Sequence, residues 1–173
     1  MEDIEISKVF DIDKVLFKDG KIIINNKKIQ FYTPVLRVPF GLEDYFDKKI
    51  IKLEFNNLDN GISQQKEFYN LLTLFEEKVK YNLKLGDNCF KSNFLKKDNY
   101  NPMLIVKVFS KNDRLDCEYK PKEENYLETL YEMSKGVNVK CLLEIGNTWK
   151  MKNCQTNIMQ GGYILSVKKI NVI

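Results

Sequence analysis

The chain has 173 residues, 43% of them hydrophobic and 30% charged, and its formal net charge is +4 at neutral pH. A chain of this length builds one hydrophobic core, so we expect a single domain over residues 1–173. Histidine is absent, which excludes Ser-His-Asp triads and Cys/His zinc sites. No apolar run is long enough to span a membrane. The charged start MEDIEISKVF is unlike a secretory signal, so the four cysteines are expected to be reduced thiols.

Residues 1–45 are predicted to form an N-terminal extension that carries a β-hairpin. Two apolar runs, 22–24 and 29–32, flank the polar connection Asn-Asn-Lys-Lys at 25–28. Asparagine tolerates the left-handed backbone that tight hairpin turns require, so this connection is predicted to be the turn. The remaining residues, 46–173, are predicted to form the main unit.

An alternating strand and an amphipathic helix come next. The stretch KKIIKLEFNN alternates apolar and charged residues, which is typical of a half-buried strand. Apolar side chains then recur every three to four positions, which predicts a helix over 63–84 with one buried face. Ser63 suits the N-cap, and Gly86 is expected to end the helix. Glu76 and Glu77 are expected on its exposed face.

The segment GDNCFKSNFLKKDNYNP, residues 86–102, is predicted to be a loop rich in aromatic and basic side chains. In the strand 101–109 that follows, one face is wholly apolar and the other combines Lys107 with Phe109. A ring beside an ammonium suits single-stranded nucleic acid, because the ring stacks on a base and the ammonium meets a phosphate. The alternative is that Phe109 is covered by a loop and the stem of Lys107 runs past it to solvent.

The C-terminal part is predicted to contain a short helix and three strands, at 121–134, 137–145, 149–154 and 163–170. A two-residue turn at Gly146-Asn147 would put Trp149 on the same side as Lys140. If Thr148 joins the turn, the indole enters the core instead, because a one-residue slip exchanges the faces of a strand. The sequence leaves both registers open.

One helix and six to eight strands, several of them joined by short hairpins, predict a mostly β protein of the α+β class. The economical architecture is an OB-like antiparallel β-barrel over 46–173, with one inserted amphipathic helix (63–84) and an N-terminal β-hairpin extension. Gly161-Gly162 is expected to turn the chain into the last strand.

Basic and aromatic side chains interleave in the loop, the strand after it and the C-terminal hairpin. We predict that they form a nucleic-acid-binding site, made up of Lys91, Phe94, Lys96, Lys97, Tyr100, Lys107, Phe109, Lys140, Trp149, Lys150 and Lys152. No catalytic residue is predicted, because the carboxylates, Asp113 and Asp116 among them, do not form a convergent acid-base set. No glycine-rich phosphate motif occurs, and no cofactor or metal is expected.

Three blocks of the sequence resemble a known family: the helix FYNLLTLFEEKV, the strand NPMLIVKVF behind its basic loop, and the C-terminal VNVKCLLEIGNTWKMKNCQTNIMQGGYILSVKKI. Their order and character resemble the OB-fold single-stranded DNA-binding proteins of large nucleocytoplasmic DNA viruses, of the kind found in African swine fever virus. The resemblance covers residues 68–173. It implies non-sequence-specific binding of single-stranded DNA in viral replication, recombination or repair, in a replication factory of the host cytoplasm or in the nucleus.

The leading hypothesis is therefore a protein without enzymatic activity that binds single-stranded DNA by base stacking and phosphate contacts, with self-association along the strand as a further expectation. One alternative is a structural or scaffold barrel that binds other proteins, whose mark would be an apolar patch on the outer side of the helix. The other is an RNA-binding barrel, which competition between DNA and RNA would distinguish.

Overall fold

The computed structural model describes residues 10–59, 63–123 and 128–173. Short 3-10 turns lie at Ile12–Lys14 and Leu130–Glu132. The other elements in these residues are β1 (Leu16–Lys18), β2 (Lys21–Ile24), β3 (Lys27–Tyr32), β4 (Leu36–Val38), β5 (Leu42–Tyr45), β6 (Lys48–Glu54), α1 (Gln64–Leu83), β7 (Phe90–Lys91), β8 (Phe94–Leu95), β9 (Met103–Val108), β10 (Ser110–Lys111), β11 (Arg114–Leu115), β12 (Glu118–Lys120), β13 (Val137–Lys152) and β14 (Met159–Val172).

Among the described residues, twelve strands share one sheet. Its main path is β1-β2-β3-β13-β4-β6-β9-β14-β12, and β13 also pairs with β14. Consequently β13, β4, β6, β9 and β14 pair in a ring, in which β9 and β14 run parallel and the other neighbours run antiparallel. Two of these five ladders consist of one residue pair each, Arg37 with Glu54 and Ser166 with Lys107. The predicted mostly β, α+β class is confirmed.

The core lies between the inward side chains of the ring strands and the apolar stripe of α1. Ile51 and Leu53 on β6 and Leu104 on β9 are fully buried, as the alternation of faces along each strand predicts. The helix adds Phe68 and Phe75, which are also fully buried. Burial of such a side chain stabilises the fold by about 1.5–3 kcal/mol, so this stripe is what holds α1 against the sheet.

The helix begins and ends almost where the sequence predicts. The hydroxyl oxygen of Ser63 accepts a hydrogen bond from the backbone N–H of Lys66 at 3.0 Å, which confirms the N-cap. The helix ends at Leu83 because Lys84 adopts the left-handed conformation with φ 56°. The prediction that Gly86 stops the helix is therefore wrong, since a lysine takes the conformation that glycine usually takes.

The N-terminal hairpin pairs β2 with β3 across Asn25-Asn26. Both asparagines have positive φ, 51° and 60°, so the turn has two residues rather than the predicted four. Strand β3 then pairs with β13, and Phe31 on β3 belongs to the common core. The division between an extension and a main unit at residue 45 stays a prediction, and residues 1–9 lie outside the described part of the chain.

The predicted turn at Gly146-Asn147 is wrong, because β13 continues through these residues as one long strand. The ladder between β13 and β14 shifts register here, which marks a β-bulge. A Cβ on Gly146 would lie 3.1 Å from the Cβ of Ile164, so this glycine permits close packing. The connection between β13 and β14 lies instead at residues 153–158.

Gly161 and Gly162 lie inside β14, not in the turn that the sequence predicts. A Cβ on Gly161 would lie 2.7 Å from the carbonyl oxygen of Trp149, and a Cβ on Gly162 would lie 2.8 Å from that of Lys91. Both glycines are therefore needed for the close approach of neighbouring backbone.

The predicted helix over 121–134 is reduced, in its described part, to the 3-10 turn at Leu130–Glu132. Residues 124–127 lie outside the described residues. Leu130 and Met133 are buried and belong to the core, so this segment covers part of it without a regular helix.

Candidate nucleic-acid interface

The outward surface of β5, β6 and β9, called here the outer face, is built by strand pairing. Ile51 pairs with Val106 and points into the core, so its neighbour Ile50 lies on the opposite side of the sheet, where it pairs with Lys107 and is itself buried, with 4% exposure. On the other side of β6, Tyr45 of β5 pairs with Lys48. Side chains from three strands thus meet on one surface although they come from separate parts of the chain.

Lys48 and Lys107 stand out on the outer face because neither ammonium has a carboxylate partner among the described residues. Lys107 is half-buried. Burial, and after it the nearby ammonium of Lys48, lowers the pKa of Lys107 below its ordinary value. Two neighbouring cations without a counter-ion repel each other, and an anion placed between them would relieve that repulsion.

Two neighbouring cations, on β6 and β4, already form ion pairs. Lys52 forms an ion pair with Glu43 at 3.3 Å, and Arg37 forms one with Glu54 at 3.2 Å. Lys52 also lies 5.3 Å above the ring of Phe40. Phosphate binding by these groups would first require an existing pair to open, so Lys48 and Lys107 are the available positive charges there.

Aromatic rings frame one end of the outer face. Tyr45 is 57% exposed, Phe46 90% and Phe109 39%. Val108 pairs with Lys49, so Phe109 continues its strand level with Lys48. The rings of Tyr45 and Phe46 contact edge to face, with centroids 4.8 Å apart. Of the two interpretations of Phe109, exposed beside Lys107 or covered by a loop, the structure therefore agrees with the exposed one.

Tyr45, Phe46 and Lys48 are absent from the sequence-predicted site. Tyr45 and Phe46 were missed because β5 and its turn were not recognised in the sequence, and Lys48 was missed because its strand was recognised without its partner β9. The usable signal is the run Glu-Asp-Tyr-Phe-Asp-Lys, in which two carboxylates flank adjacent aromatic residues at the start of an alternating strand. The pairing of Tyr45 with Lys48 makes Phe46-Asp47 a two-residue hairpin turn.

Three predicted residues lie at the opposite end of β9. Lys96, Lys97 and Tyr100 are exposed in the connection that leads from β8 into Met103, and Tyr100 is 72% exposed. The ammonium of Lys96 lies 5.5 Å from the ring of Tyr69. Six residues of strand extend over roughly 17 Å, so this cluster and the Lys107 end of the face are separated by about the length of β9.

Phe94 is not a free stacking surface. Its ring lies 4.9 Å from the ring of Tyr69 and 5.9 Å from that of Phe55, between the helix and the sheet. The side chain is half-buried, and its strand partner is the fully buried Leu104. We therefore leave Phe94 out of the proposed contact surface.

A buried carboxylate holds the segment in front of Phe94. Glu76 on α1 is 7% exposed, so its predicted place on the exposed face is wrong. It accepts hydrogen bonds from the hydroxyl of Ser92, from the backbone N–H of Asn93 at 3.0 Å and from the hydroxyl of Tyr163 at 2.8 Å. Burial raises the pKa of Glu76, and the three donors oppose that rise.

Trp149 packs beside β14. It pairs with Gly162, and a Cβ on that glycine would lie 3.2 Å from the indole nitrogen. The neighbour of Gly162, Tyr163, points into the core, so Trp149 lies on the outward side of β14. The bulge in β13, rather than either predicted turn, produces this orientation. The indole is half-buried.

The remaining predicted lysines lie in different places. Lys150 donates a hydrogen bond to the carbonyl of Leu83 at 2.9 Å, so its ammonium already caps the end of α1. Lys91 is exposed on β7 beside Gly162, Lys152 is exposed at the end of β13, and Lys140 is half-buried on β13. These lysines do not join the Lys48–Lys107 cluster.

The described residues contain no group of three or more side chains that could hold a metal ion. None of the described helices is long and apolar enough to cross a membrane.

Comparisons with known proteins identify a shared fold. No protein-family model and no curated protein matches the chain. Among solved structures, it is similar to gp2.5, a single-stranded DNA-binding protein encoded by bacteriophage T7, with a TM-score of 0.52 and 8% identity over 84% of this chain and 86% of that one. A C-terminally truncated single-stranded DNA-binding protein from bacteriophage Enc34 has a TM-score of 0.49 and 11% identity over 92% and 95%. The resemblance to proteins of large DNA viruses stays a prediction, and the likeness to the T7 protein establishes the fold of this chain.

Proposed function

We propose that this protein binds single-stranded DNA without sequence specificity across its outer face, and that it does so without enzymatic activity. The observation that carries the proposal is the pair Lys48 and Lys107, which lie on the neighbouring strands β6 and β9, have no carboxylate partner among the described residues and are flanked by exposed rings. A phosphate between the ammonium groups and bases on the rings would satisfy both features at once.

The pairing of the strands supports an OB-like interpretation. The support comes from the successive pairings of β13 with β4, β4 with β6, β6 with β9, β9 with β14 and β14 with β13, of which only that of β9 with β14 is parallel. In OB folds the face of the second and third strands binds oligonucleotides, and we assign these positions to β6 and β9, whose outward side carries Lys48 and Lys107. The T7 protein with a similar fold is described as a single-stranded DNA-binding protein.

The bound single-stranded DNA would extend along β9, from the aromatic rings near its C-terminal end to Lys96, Lys97 and Tyr100 before its N-terminal end. Five lysines that form no ion pair with another described residue lie on or beside this path, namely Lys48, Lys91, Lys96, Lys97 and Lys107. Tyr100 and Phe109, both exposed, supply rings at the two ends. A role in viral replication, recombination or repair belongs to the same proposal and depends on the resemblance found in the sequence.

The test is a salt titration of binding to labelled oligo-dT, followed by fluorescence anisotropy. About five phosphate contacts predict a loss of affinity of about 100-fold between 50 and 200 mM salt, since each contact contributes about 0.7 to the logarithmic slope. Replacing Lys48 and Lys107 together with alanine should lower the magnitude of the slope by about 1.4. Lys21→Ala, on the β1–β2 hairpin, is the matched control and should leave the slope unchanged.

An affinity that does not change with salt contradicts the proposal, and so does a double variant with the wild-type slope. Oligo-U and duplex DNA of the same length serve as competitors. Equal or better competition by oligo-U would support the RNA-binding alternative, and competition by duplex alone would refute preference for single strands.

A further inference from the structure

The tip of the β5–β6 hairpin, residues 45–48, carries two features that folding does not favour. Phe46 is 90% exposed, so its ring contributes little to the core. Its φ is +58°, in the left-handed region, where a bulky side chain is disfavoured and glycine, asparagine or aspartate is the usual residue. Neither burial nor backbone preference accounts for a phenylalanine at this position.

The ring of Phe46 nevertheless makes one aromatic contact. Tyr45 contacts it edge to face, with a centroid distance of 4.8 Å and an interplanar angle of 83°. This geometry is favourable for a pair of aromatic rings and leaves a face of Phe46 open to solvent. The open ring is therefore accessible to a flat ligand that stacks on it.

The charges around the tip favour a neutral, flat ligand. Asp47 follows Phe46 in the turn, and its carboxylate would repel a phosphate. Asp44 is nearby and is already ion-paired with Lys49. Lys48, immediately after Asp47, is the first free ammonium on the way to Lys107. Single-stranded DNA whose phosphates bind these two lysines would bring a base, not a phosphate, to the tip of the β5–β6 hairpin.

We propose that the Tyr45–Phe46 tip is a stacking site for one unpaired nucleobase, at the end of the strand path on the outer face. This inference rests on the proposed function. It adds Phe46 as a contact residue. It also makes the two ends of the outer face different, because one end binds a base at the strained hairpin tip and the other end presents the exposed ring of Tyr100.

The test combines Phe46→Gly with oligo-dT probes in which a single nucleotide lacks its base, one position at a time. Loss of a stacked base typically weakens binding about 5- to 150-fold. In the wild-type protein we expect such a loss at the position that reaches the tip. In Phe46→Gly the affinity for intact oligo-dT should fall by a similar factor, and the missing base at that position should have no further effect.

Thermal unfolding of the free protein gives an independent measurement. Glycine adopts the left-handed conformation without steric conflict, so Phe46→Gly should unfold at the same or a higher temperature than wild type while it binds DNA less tightly. Phe46→Trp, which retains a stacking ring, should bind like wild type. Tyr81→Ala removes another ring, 86% exposed on α1, and should change neither property.

Two results would overturn the inference: unchanged binding by Phe46→Gly at any unfolding temperature, or the same loss of affinity for every missing base in both proteins. Either of them, together with the expected salt dependence of the wild-type protein, would leave the proposed function standing. Absence of salt-dependent binding in the wild type would instead refute the proposed function itself.

Discussion

The hairpin tip at residues 45–48 and the segment at residues 90–102, which was predicted as a loop but contains the short strands β7 and β8, are both rich in aromatic and charged side chains. The two regions differ in how many of these side chains are covered by the rest of the fold. In the loop region Phe94 packs on Tyr69, and Ser92 and Asn93 donate hydrogen bonds to Glu76. At the tip, by contrast, Phe46 is almost wholly exposed. An aromatic and basic composition therefore identifies surfaces that could bind nucleic acid, but the tertiary contacts decide which of their side chains are free to do so.

The largest effect that would sharpen this contrast is expected at Glu76. Glu76→Ala removes the acceptor of three hydrogen bonds and leaves the donors of Ser92, Asn93 and Tyr163 without a partner. Only the bond from Tyr163 is fully buried, and the other two are partly buried. With about 1–3 kcal/mol for the unsatisfied buried donor and about 0.5–1.5 kcal/mol for each of the other bonds, the free energy of unfolding should fall by about 3 kcal/mol. Urea denaturation measures this change. A fall of less than about 1 kcal/mol would mean that the loop is not anchored by this carboxylate.

The carboxylate of Glu76 should also make the stability of the protein depend on pH. Burial raises the pKa of Glu76 in the folded protein, so the folded state binds the proton more tightly than the unfolded state. This stabilising contribution is complete below the ordinary glutamate value of about 4.3 and is lost as the pH rises through the raised pKa. The stability of wild type relative to Glu76→Gln should therefore decrease with pH over that interval, and a difference that is flat or increases would contradict the assignment.

An intermediate effect is expected at Gly162, beneath Trp149. A Cβ there would lie 2.8 Å from the carbonyl oxygen of Lys91 and 3.2 Å from the indole nitrogen, so the backbone must shift. Overpacking of this kind typically costs about 1–3 kcal/mol. Gly162→Ala should lose about that much stability and change the emission of the single tryptophan. Gly86→Ala is the control, since nothing lies within 4 Å of its added Cβ; equal behaviour of the two variants would show that Trp149 is not held closely.

The smallest effect is expected at Lys150, whose ammonium bonds within the fold, in comparison with Lys107, which has no ion-pair partner among the described residues. Lys150 bonds the carbonyl of Leu83 in the last turn of α1, and such a contact is typically worth about 0.3–1 kcal/mol. Lys150→Ala should reduce stability by that amount and leave the salt slope of oligo-dT binding unchanged, whereas Lys107→Ala should reduce the slope. A reduced slope in Lys150→Ala would return this residue to the phosphate-binding set.

Local patterns in the sequence predict the regular elements well. The apolar stripe and Ser63 define α1 to within a residue at each end, because helix periodicity and capping depend on neighbouring residues. The alternation around Lys107 likewise depends on neighbouring residues, and it predicts which side chains of β9 are buried. Gly146-Asn147 was mistaken for a turn because these residue types also suit a bulge, and only the packing of Ile164 against Gly146 decides between them.

The sequence by itself determined the class of the fold, the helix and the faces of the strands, since each of these follows from residues a few positions apart. The availability of charges and rings was decided by tertiary structure alone. Tyr163 reaches Glu76 across 87 residues, and Lys150 reaches Leu83 across 67. The same long-range pairing brings Lys48 and Lys107 close to each other, with no carboxylate partner in the described part of the chain, because β6 and β9 are neighbours in the sheet although α1 lies between them in the chain.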